Sequence, residues 1–381
     1  MALNEKYIPS LNGLRALCII MVISDHLMLH NYIKHNTINK VLGIVFFNGG
    51  LGVDIFFLIS GFLITNLLIQ EHEAYGKVSF KKFYKRRTLR IFPAYYALLF
   101  VYYLLQKTNY LHLSTMNWIS DLTYTKQFFQ DEAVETTHLW SLSVEELFYL
   151  IWPFLYVRFF SKASIKYLAC LVVSFAFLRF QNYAYPKYHY SNTIFSTGDA
   201  LLVGCFVAIY YDRLAAWVCN NSRVLLLAFL LLFVLAFTEP YVYHLVSMRQ
   251  HTKNQIFLQY LVLPLLNALC GSKGLLTNVL VAIILVYSIN VRGYWYRFLN
   301  APITNYIGLL SYSLYLWQQI FITDRMRNLY LPLPTIILCI AVSAHMSYYL
   351  IEKPFLRLKR HFSSLANEKQ NAISTFYGQK I

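Results

Sequence analysis

Two ionisable residues lie inside the first apolar run of the chain and are its first candidates for chemistry. The run from Leu11 to His30 reads LNGLRALCIIMVISDHLMLH and contains Arg15 and His26. Eleven positions are about three helical turns, so both side chains leave one helix face, roughly 16 Å apart along its axis. Ionisable groups at membrane depth are costly unless they face the protein interior or a wet cavity. Arg15 and His26 are therefore candidate catalytic residues. The structural alternative is a snorkelling arginine and a hydrogen-bonded core histidine.

The second apolar run adds a carboxylate and a hydroxyl. It opens GGLGVDIFFLISGFLIT, with Asp54 one turn in and Ser60 deeper. A carboxylate at this depth needs a partner, and His26, Arg15 or a lysine of the following loop could supply one. Ser60 also fits small-residue packing between membrane helices, which is its structural alternative. Asp54 and Ser60, with Asp25 of the first run, are further polar site candidates.

Arginines crowd the entrance of the third apolar run, FYKRRTLRIFPAYY. Arg87 and Arg90 are three residues apart and share a helix face. Guanidinium groups match phosphate geometry through paired N–H donors, which favours a phosphate or pyrophosphate ligand for Arg86, Arg87 and Arg90. The alternative is a purely topological role at the cytoplasmic boundary. That explanation fits Arg90 less well, because apolar residues follow it directly.

Two adjacent glutamates start the fourth run, THLWSLSVEELFYLIWP. Ser141 or Ser143 could cap this helix, and Glu145 and Glu146 in its first turns suit the helix dipole. Two carboxylates followed by aromatic residues also fit a polar cluster that closes a site at the outer interface. Both are candidate catalytic residues.

The last run ends SYYLIEKPFLR. Glu352 lies at its end, and Pro354 is expected to break the helix behind it. An ion pair with a basic cytoplasmic residue is the simplest role for this carboxylate, ahead of catalysis.

The composition is that of a polytopic membrane protein. Of 381 residues 58% are hydrophobic and only 13% charged, and apolar runs of spanning length recur along the chain. No cleavable signal is expected, since the charged start leads straight into the first run. The net charge of +16 comes with basic and acidic connections that alternate, which indicates cytoplasmic loops beside anionic lipid rather than nucleic-acid binding. The six cysteines form no C-x-x-C pair, so neither a disulfide framework nor a metal site is expected.

The charge pattern predicts an all-α fold of about ten transmembrane helices with both termini cytoplasmic. Eleven apolar runs would put the basic tail outside, against the positive-inside rule. The run 256–271 is the shortest and contains Pro264 and Gly271, so it is interpreted as a re-entrant segment. Residues 1–355 then form one transmembrane domain, followed by a short basic tail, 356–381.

Taken together, the motifs resemble a known family. Arginine and histidine separated by ten residues come first, then GVDIFFLISGFLI, R-x-x-R, HLWSLSVEE followed by FYLIWP, SYSLYLW and a terminal I-E-x-P. In this order, from Tyr7 to about Arg357, they are similar to the acyltransferase-3 family of membrane-bound O-acyltransferases.

The resemblance implies transfer of an acyl group, often acetyl, from cytoplasmic acyl-CoA to a sugar hydroxyl on a cell-surface or secreted glycan or lipid-linked sugar. It implies that Arg15 and His26 are central to acyl transfer and that Arg87 and Arg90 take part in binding the coenzyme. Many relatives place a histidine where this chain has Gln318, so an acid–base role is absent there. The hydrolase-like domain that some relatives carry after the last span is not expected in this chain, so that either this protein completes transfer or a separate partner does.

The predicted reaction uses both faces of the inner membrane, with the arginines on the cytoplasmic side and the glutamates near the outer surface. An alcohol is a poor nucleophile, and His26 could act on it as a base or carry the acyl group briefly. The competing function is a transporter or flippase for a lipid-linked glycan, and a third is a noncatalytic scaffold. A scaffold needs neither His26 nor the R-x-x-R pair, and a transporter needs no coenzyme site.

Overall fold

The computed structural model of the protein describes residues 8–30, 32, 48–129, 133–160, 165–184, 193–221, 223–235, 274–323 and 331–360. All regular secondary structure in these ranges is helical, as the sequence predicts. The helices are α1 Leu11–Leu29, α2 Gly49–Tyr75, α3 Phe80–Lys107, α4 Thr115–Leu122, α5 Val134–Thr137, α6 Leu139–Leu155, α7 Ile165–Ala184, α8 Ile194–Ile209, α9 Tyr211–Asn220, α10 Val224–Leu235, α11 Leu275–Asn290, α12 Tyr294–Leu299, α13 Pro302–Leu309, α14 Ser311–Phe321, α15 Leu333–Ser347 and α16 Lys353–Arg360. Short π-helical turns extend α6 over Tyr156–Phe160 and α15 over Tyr348–Glu352.

Four helical segments are long and apolar enough to cross a membrane. They are α1, α2, α3 and the continuous segment Leu333–Leu358; α8 and α9 would add a fifth span if this pair, bent by 83°, is counted as one. The protein is therefore a membrane protein, but the described residues give four or five such spans, not the predicted ten. Part of the difference arises because α11 has only 16 residues, short of the ~20 of a typical span, and because α13 and α14 are separate helices of 8 and 11 residues. The predicted re-entrant segment 256–271 and the tail beyond residue 360 lie outside the described residues.

Helix α3 begins at Phe80, ahead of the arginines at the entrance of the third apolar run. The side chain of Ser79 caps its first turn by accepting from the backbone N–H of Lys82, and lysine and arginine are good helix formers. The basic connection is therefore already helical. Arg90 lies about 15 Å along the helix from its first residue, well inside the bundle rather than at the helix entrance.

The expectation that Pro354 ends the last helix is wrong. The chain continues helically from Lys353 to Arg360, and the π turn that includes Glu352 precedes it directly. A proline near the start of a helical segment is tolerated because its missing N–H falls where the hydrogen-bond pattern already changes.

Glycines let α2 and α8 cross closely at the centre of the bundle. A Cβ on Gly61 would lie 2.0 Å from the carbonyl oxygen of Leu201, and one on Gly204 would lie 2.1 Å from that of Leu58. The two backbones are thus in direct contact from both sides. This is the small-residue packing that the sequence indicates beside Ser60.

The chain between α3 and α6 folds back onto the bundle. Tyr95 donates its hydroxyl to the carbonyl of Asp121 at 2.7 Å, and Tyr102 donates to that of Glu135 at 2.7 Å. The ring of Tyr124 stacks on Tyr95 with centroids 4.1 Å apart. These contacts fix the segment that leads into α6, and so fix where α6 begins.

Candidate active site

A narrow cavity of about 80 Å³ lies between α1, α2, α3, α6 and α14. Its walls bring together five of the residues singled out in the sequence. These residues are Arg15, Ser60, Arg87, Arg90 and Glu145. Serines, tyrosines and apolar side chains of α2, α3, α6 and α14 complete the lining.

The cavity carries an excess of positive charge. Three arginines and a single glutamate are the charged residues among its described lining. Within the part of the chain that the structure describes, none of the three guanidinium groups makes an ion pair within 4.0 Å of a carboxylate. Clustered arginines without direct partners in an apolar bundle are costly, so this cavity is suited to an anionic ligand.

Glu145 is held on the cavity wall by a hydroxyl. Ser60 donates from Oγ to Glu145 Oε1 at 2.7 Å, which joins α2 to α6. Arg15 and Arg90 are close enough to Glu145 to interact electrostatically with its carboxylate. Glu145 thus balances part of the arginine charge without neutralising it.

An aromatic ring supports Arg87 from α6. The Arg87 guanidinium carbon lies 5.3 Å from the centroid of the Tyr149 ring and 5.9 Å from that of Phe83. A cation over aromatic faces is stabilised by the ring quadrupole, more strongly where water is excluded. This packing holds the buried guanidinium in place while leaving its N–H donors available.

Arg86 points away from the cavity that its neighbour lines. Its Nη2 pairs with Glu71 Oε2 at 2.7 Å, and Glu71 Oε1 accepts the backbone N–H of Ser79 at 2.9 Å. This arrangement fastens the end of α2 to the start of α3. The predicted role of Arg86 at the coenzyme stays a prediction, and its position fits a structural role better.

Glu146 and Glu352 flank the cavity without lining it. Glu146 follows Glu145 on α6 and interacts electrostatically with Arg87. Glu352 is buried, accepts a hydrogen bond from Ser313 Oγ, and lies within electrostatic range of Arg90 and Arg15. The expected ion pair of Glu352 with a basic cytoplasmic residue stays a prediction.

His26, Asp25 and Asp54 also lie away from the cavity lining. Asp25 is next to Gly49 at the start of α2, and Asp54 is buried one turn further along the same helix. His26 is in the last turn of α1, with its Nδ1 buried and without a hydrogen-bond partner among the described residues. The structure thus separates His26 from the cavity that contains Arg15.

The prediction that the arginines and the glutamates lie at opposite faces of the membrane is wrong for Glu145, which lines the same cavity as the arginines. Glu145 lies six residues into α6, about 9 Å from its first residue, and Arg90 lies about 15 Å into α3. Because each side chain is set in from its own end of the bundle, the two meet in one cavity.

The proposed serine caps of α6 are absent as well. The helix begins at Leu139, and His138 at its N-cap makes no side-chain capping bond. Ser141 Oγ lies 2.6 Å from the hydroxyl of Tyr315, and Ser143 donates to the carbonyl of Tyr124. Both serines therefore connect α6 to neighbouring segments.

Three cavity residues of α14 were not chosen from the sequence, namely Ser311, Tyr312 and Tyr315. Tyr312 and Tyr315 are three residues apart and so share a helix face. That spacing, in the motif SYSLYLW, was the available signal.

The described residues define an integral-membrane protein, built from helices, with a buried cavity lined by arginines. Within this class the chain belongs to the acyltransferase-3 family, since the family model described as an acyltransferase domain matches residues 8–352. The sequence resemblance is thereby confirmed.

Several bacterial relatives are similar over most of this chain. A Bacillus subtilis protein named as a candidate peptidoglycan O-acetyltransferase is 27% identical, over 92% of this chain and 55% of its own length. The peptidoglycan O-acetyltransferase OatA of Listeria monocytogenes is 29% identical, over 92% of this chain and 56% of its own. The chain thus spans a little over half the length of these relatives. No solved structure matches it.

Proposed function

We propose that the protein is a membrane-bound O-acyltransferase that moves an acyl group, most simply acetyl, from acyl-CoA to a hydroxyl of a cell-envelope glycan. Membership of the acyltransferase-3 family supports the reaction type. The names of the relatives support acetyl as the group and a glycan such as peptidoglycan as the acceptor.

The observation that carries the proposal is the arginine-lined cavity. An acyl-CoA donor is polyanionic, and arginine binds phosphate through two parallel N–H donors. Arg87 and Arg90 bind the donor phosphates at the mouth of the cavity. Because the cavity is small, only the acyl-bearing arm of the donor extends inward past Arg15, along α1 toward His26.

The transfer step needs a proton acceptor for the alcohol. As the acceptor oxygen attacks the thioester carbonyl, a C–O bond forms, the C–S bond breaks, and coenzyme A leaves as the thiolate, which is then protonated. His26 accepts the alcohol proton directly, or else its imidazole nitrogen takes the acyl group first and passes it to the alcohol. Both routes place His26 between donor and acceptor.

The same proposal sets the topology. The basic segment from Lys77 to Arg87 faces the cytoplasm by the positive-inside rule, as do both termini, in an inner-membrane protein with an even number of crossings. The donor then binds from the cytoplasm and the acceptor from the outside. A separate acyl-handling partner completes the reaction if this chain does not do so itself.

The test uses membranes that contain the full chain. They are incubated with ¹⁴C-labelled acetyl-CoA and host cell-envelope glycan from which esters have been removed by mild alkali. Wild-type membranes should transfer label to the glycan as an alkali-labile ester, and His26→Ala membranes at equal protein abundance should not. Absence of labelled ester with the wild type would overturn the proposal and favour the flippase alternative.

A further inference from the structure

A second polar cluster lies beyond the cavity, where three separate parts of the chain meet. We infer that His26, His138 and Gln318 form the subsite for the acceptor alcohol, in which Gln318 binds a sugar hydroxyl. The inference rests on the proposed function and adds the residues that select the acceptor.

The first observation concerns the buried side-chain amide of Gln318. Its side chain on α14 is fully buried, and neither its Oε1 nor its Nε2 has a hydrogen-bond partner among the described residues. Buried side-chain amides in folded proteins are almost always hydrogen-bonded, and an unsatisfied one is costly. Among the described residues the amide has the His26 imidazole as a polar neighbour, and it keeps hydrogen-bonding capacity for a ligand.

His138 approaches the same helix from the turn before α6. Its Nε2 lies 3.2 Å from the carbonyl oxygen of Leu316, and its backbone carbonyl accepts from the Tyr315 hydroxyl at 2.7 Å. With Nε2 facing a carbonyl, the proton belongs on Nε2. The buried Nδ1, which has no partner among the described residues, is then a free acceptor.

His26 completes the cluster from α1. It lies within reach of a side-chain hydrogen bond with Gln318 and close enough to interact electrostatically with His138, and α1 packs directly against α14. Its Nδ1 is also buried without a partner in the described part of the chain. His26 thus links His138 to Gln318, and the three residues carry four buried polar atoms without a hydrogen bond in the described part of the chain: two imidazole nitrogens, one amide oxygen and one amide nitrogen.

The chemistry of these atoms fits an alcohol better than an anion. Burial, with His26 nearby as a second cause, lowers the pKa of His138 to about 3, so that its ring is neutral. The nearest lysine, Lys126, already pairs with Asp121 at 3.5 Å and donates to Thr136 Oγ1 at 2.8 Å. Neutral donors and acceptors side by side match sugar hydroxyls, which both donate and accept.

The cluster and the cavity therefore divide the two substrates by charge. Arginines line the space for the polyanionic donor, and uncharged imidazole and amide groups line the space for the alcohol. His26 belongs to the second space, about three helical turns from Arg15, which places it on the acceptor side of the reaction.

The experiment measures the two substrates separately. Labelled acetyl-CoA and alkali-treated envelope glycan are each titrated against membranes with Gln318→Leu, Gln318→Met or Gln318→His. We expect Gln318→Leu to raise the half-saturating glycan concentration about tenfold, the scale of one lost hydrogen bond, with that of acetyl-CoA within about twofold of wild type. Gln318→His keeps one donor and one acceptor and should stay within about threefold for both. Gln318→Met has nearly the shape of glutamine and replaces Gln318→Leu should leucine impair folding.

Gln319→Leu is the matched control. Gln319 is the next residue on the same helix, is also buried, and donates to its own chain at the carbonyl of Ile322, 3.3 Å away. It should leave both half-saturating concentrations unchanged. Equal shifts for both substrates, or no shift for glycan, in Gln318→Leu and Gln318→Met would overturn the inference, the second result meaning that water alone fills the cluster. A wild type that labels no glycan would instead overturn the proposed function, and the subsite with it.

Discussion

Ser60 on α2 and Glu145 on α6 share a hydrogen bond of 2.7 Å at the wall of the arginine-lined cavity. Ser60 fixes one carboxylate oxygen, and the carboxylate faces the arginines of α1 and α3. The structural alternative for Ser60 was helix packing, and Glu145 was expected near the outer surface. Their hydrogen bond makes both residues part of one site.

Loss of this hydrogen bond should slow transfer without removing the protein from the membrane. Ser60→Ala frees the Glu145 carboxylate to rotate, and we expect kcat to fall by up to about tenfold. Glu145→Gln keeps an oxygen for Ser60 but removes the charge that faces the arginines, so a larger loss, of about 10²-fold, is expected. Both are measured as labelled acetyl transfer at equal membrane abundance.

Ser174→Ala is the control for this pair. The Ser174 hydroxyl donates to the carbonyl of Cys170 on its own helix, at an exposed position of α7. Its loss should change kcat by less than twofold. A Ser60→Ala protein as active as Ser174→Ala would show that the contact with Glu145 has no part in transfer.

Arg87 and Arg90 should determine the affinity for the donor. Replacement of either residue by alanine removes charge-assisted hydrogen bonds to phosphate, and we expect the half-saturating acetyl-CoA concentration to rise about tenfold or more. Lysine should restore only part of the affinity, because it lacks the bidentate fork. Unchanged donor affinity in a correctly inserted Arg87→Ala, Arg90→Ala double variant would contradict the assignment.

Arg86 provides a comparison within the same motif. Because its guanidinium pairs with Glu71, Arg86→Ala should lower the thermal stability of the detergent-solubilised protein more than it weakens donor binding. If Arg86→Ala weakens donor binding as much as Arg87→Ala does, the ion pair with Glu71 is not its main role.

His26 should be required for transfer but not for folding. His26→Gln preserves approximate size and some hydrogen bonding, and the rate of acyl transfer should fall by about 10²-fold or more, the scale for loss of a positioned acid–base group. His30→Gln, one turn further along and beyond the alignment with Arg15, should keep most activity. Near wild-type transfer by His26→Gln at equal abundance would make this histidine structural.

The close crossing of α2 and α8 should tolerate no side chain. Gly61→Ala places a Cβ 2.0 Å from the carbonyl oxygen of Leu201, so the helices must separate, and the free energy of unfolding should fall by about 1–3 kcal/mol. Gly293→Ala is the matched control, since no atom lies within 4 Å of its added Cβ and its φ of 171° is extended. Equal thermal stabilities of the two variants in detergent would refute the crossing.

The topology prediction can be checked with fusions. Reporters fused at Ile381 should be active only when they are of the cytoplasmic type, and those inserted between Gln106 and His138 only when they are of the extracytoplasmic type. An extracytoplasmic reporter that is active at Ile381 would contradict an even number of crossings.

The pattern of apolar runs in the sequence predicted the position of the first helix and drew attention to the polar residues within the runs. The first apolar run coincides with α1, and the placement of Arg15, Ser60, Arg87, Arg90 and Glu145 in one cavity agrees with their choice as polar candidates. These residues could be found because a charged or polar side chain within an apolar run is conspicuous on energetic grounds alone.

The sequence could not reveal which way neighbouring residues face. Arg86 and Arg87 differ by about 100° on the helix, and only the packing of α3 against α2 and α6 shows that one pairs with Glu71 and the other lines the cavity. Likewise His138 contacts the carbonyl of Leu316, 178 positions further along the chain, and no local spacing encodes a contact between such distant segments. The number of spans also depends on where helices bend or break, which hydropathy does not record.

Ser60 and Gly61 are consecutive, so one residue of α2 faces the donor cavity while the next lies against the backbone of α8. The α8 backbone is in turn held by the buried pair of Arg179 on α7 with Asp199 on α8, and by Asn278 of α11, which donates to Asp199 at 3.2 Å. The wall of the cavity that contains Ser60 is thus held in place by the packing of α2 against α8. We expect a donor larger than the cavity to enter and leave by displacement of the opposite wall, where, among the described residues, a hydrogen bond from Tyr312 to the carbonyl of Ile91 joins α14 to α3.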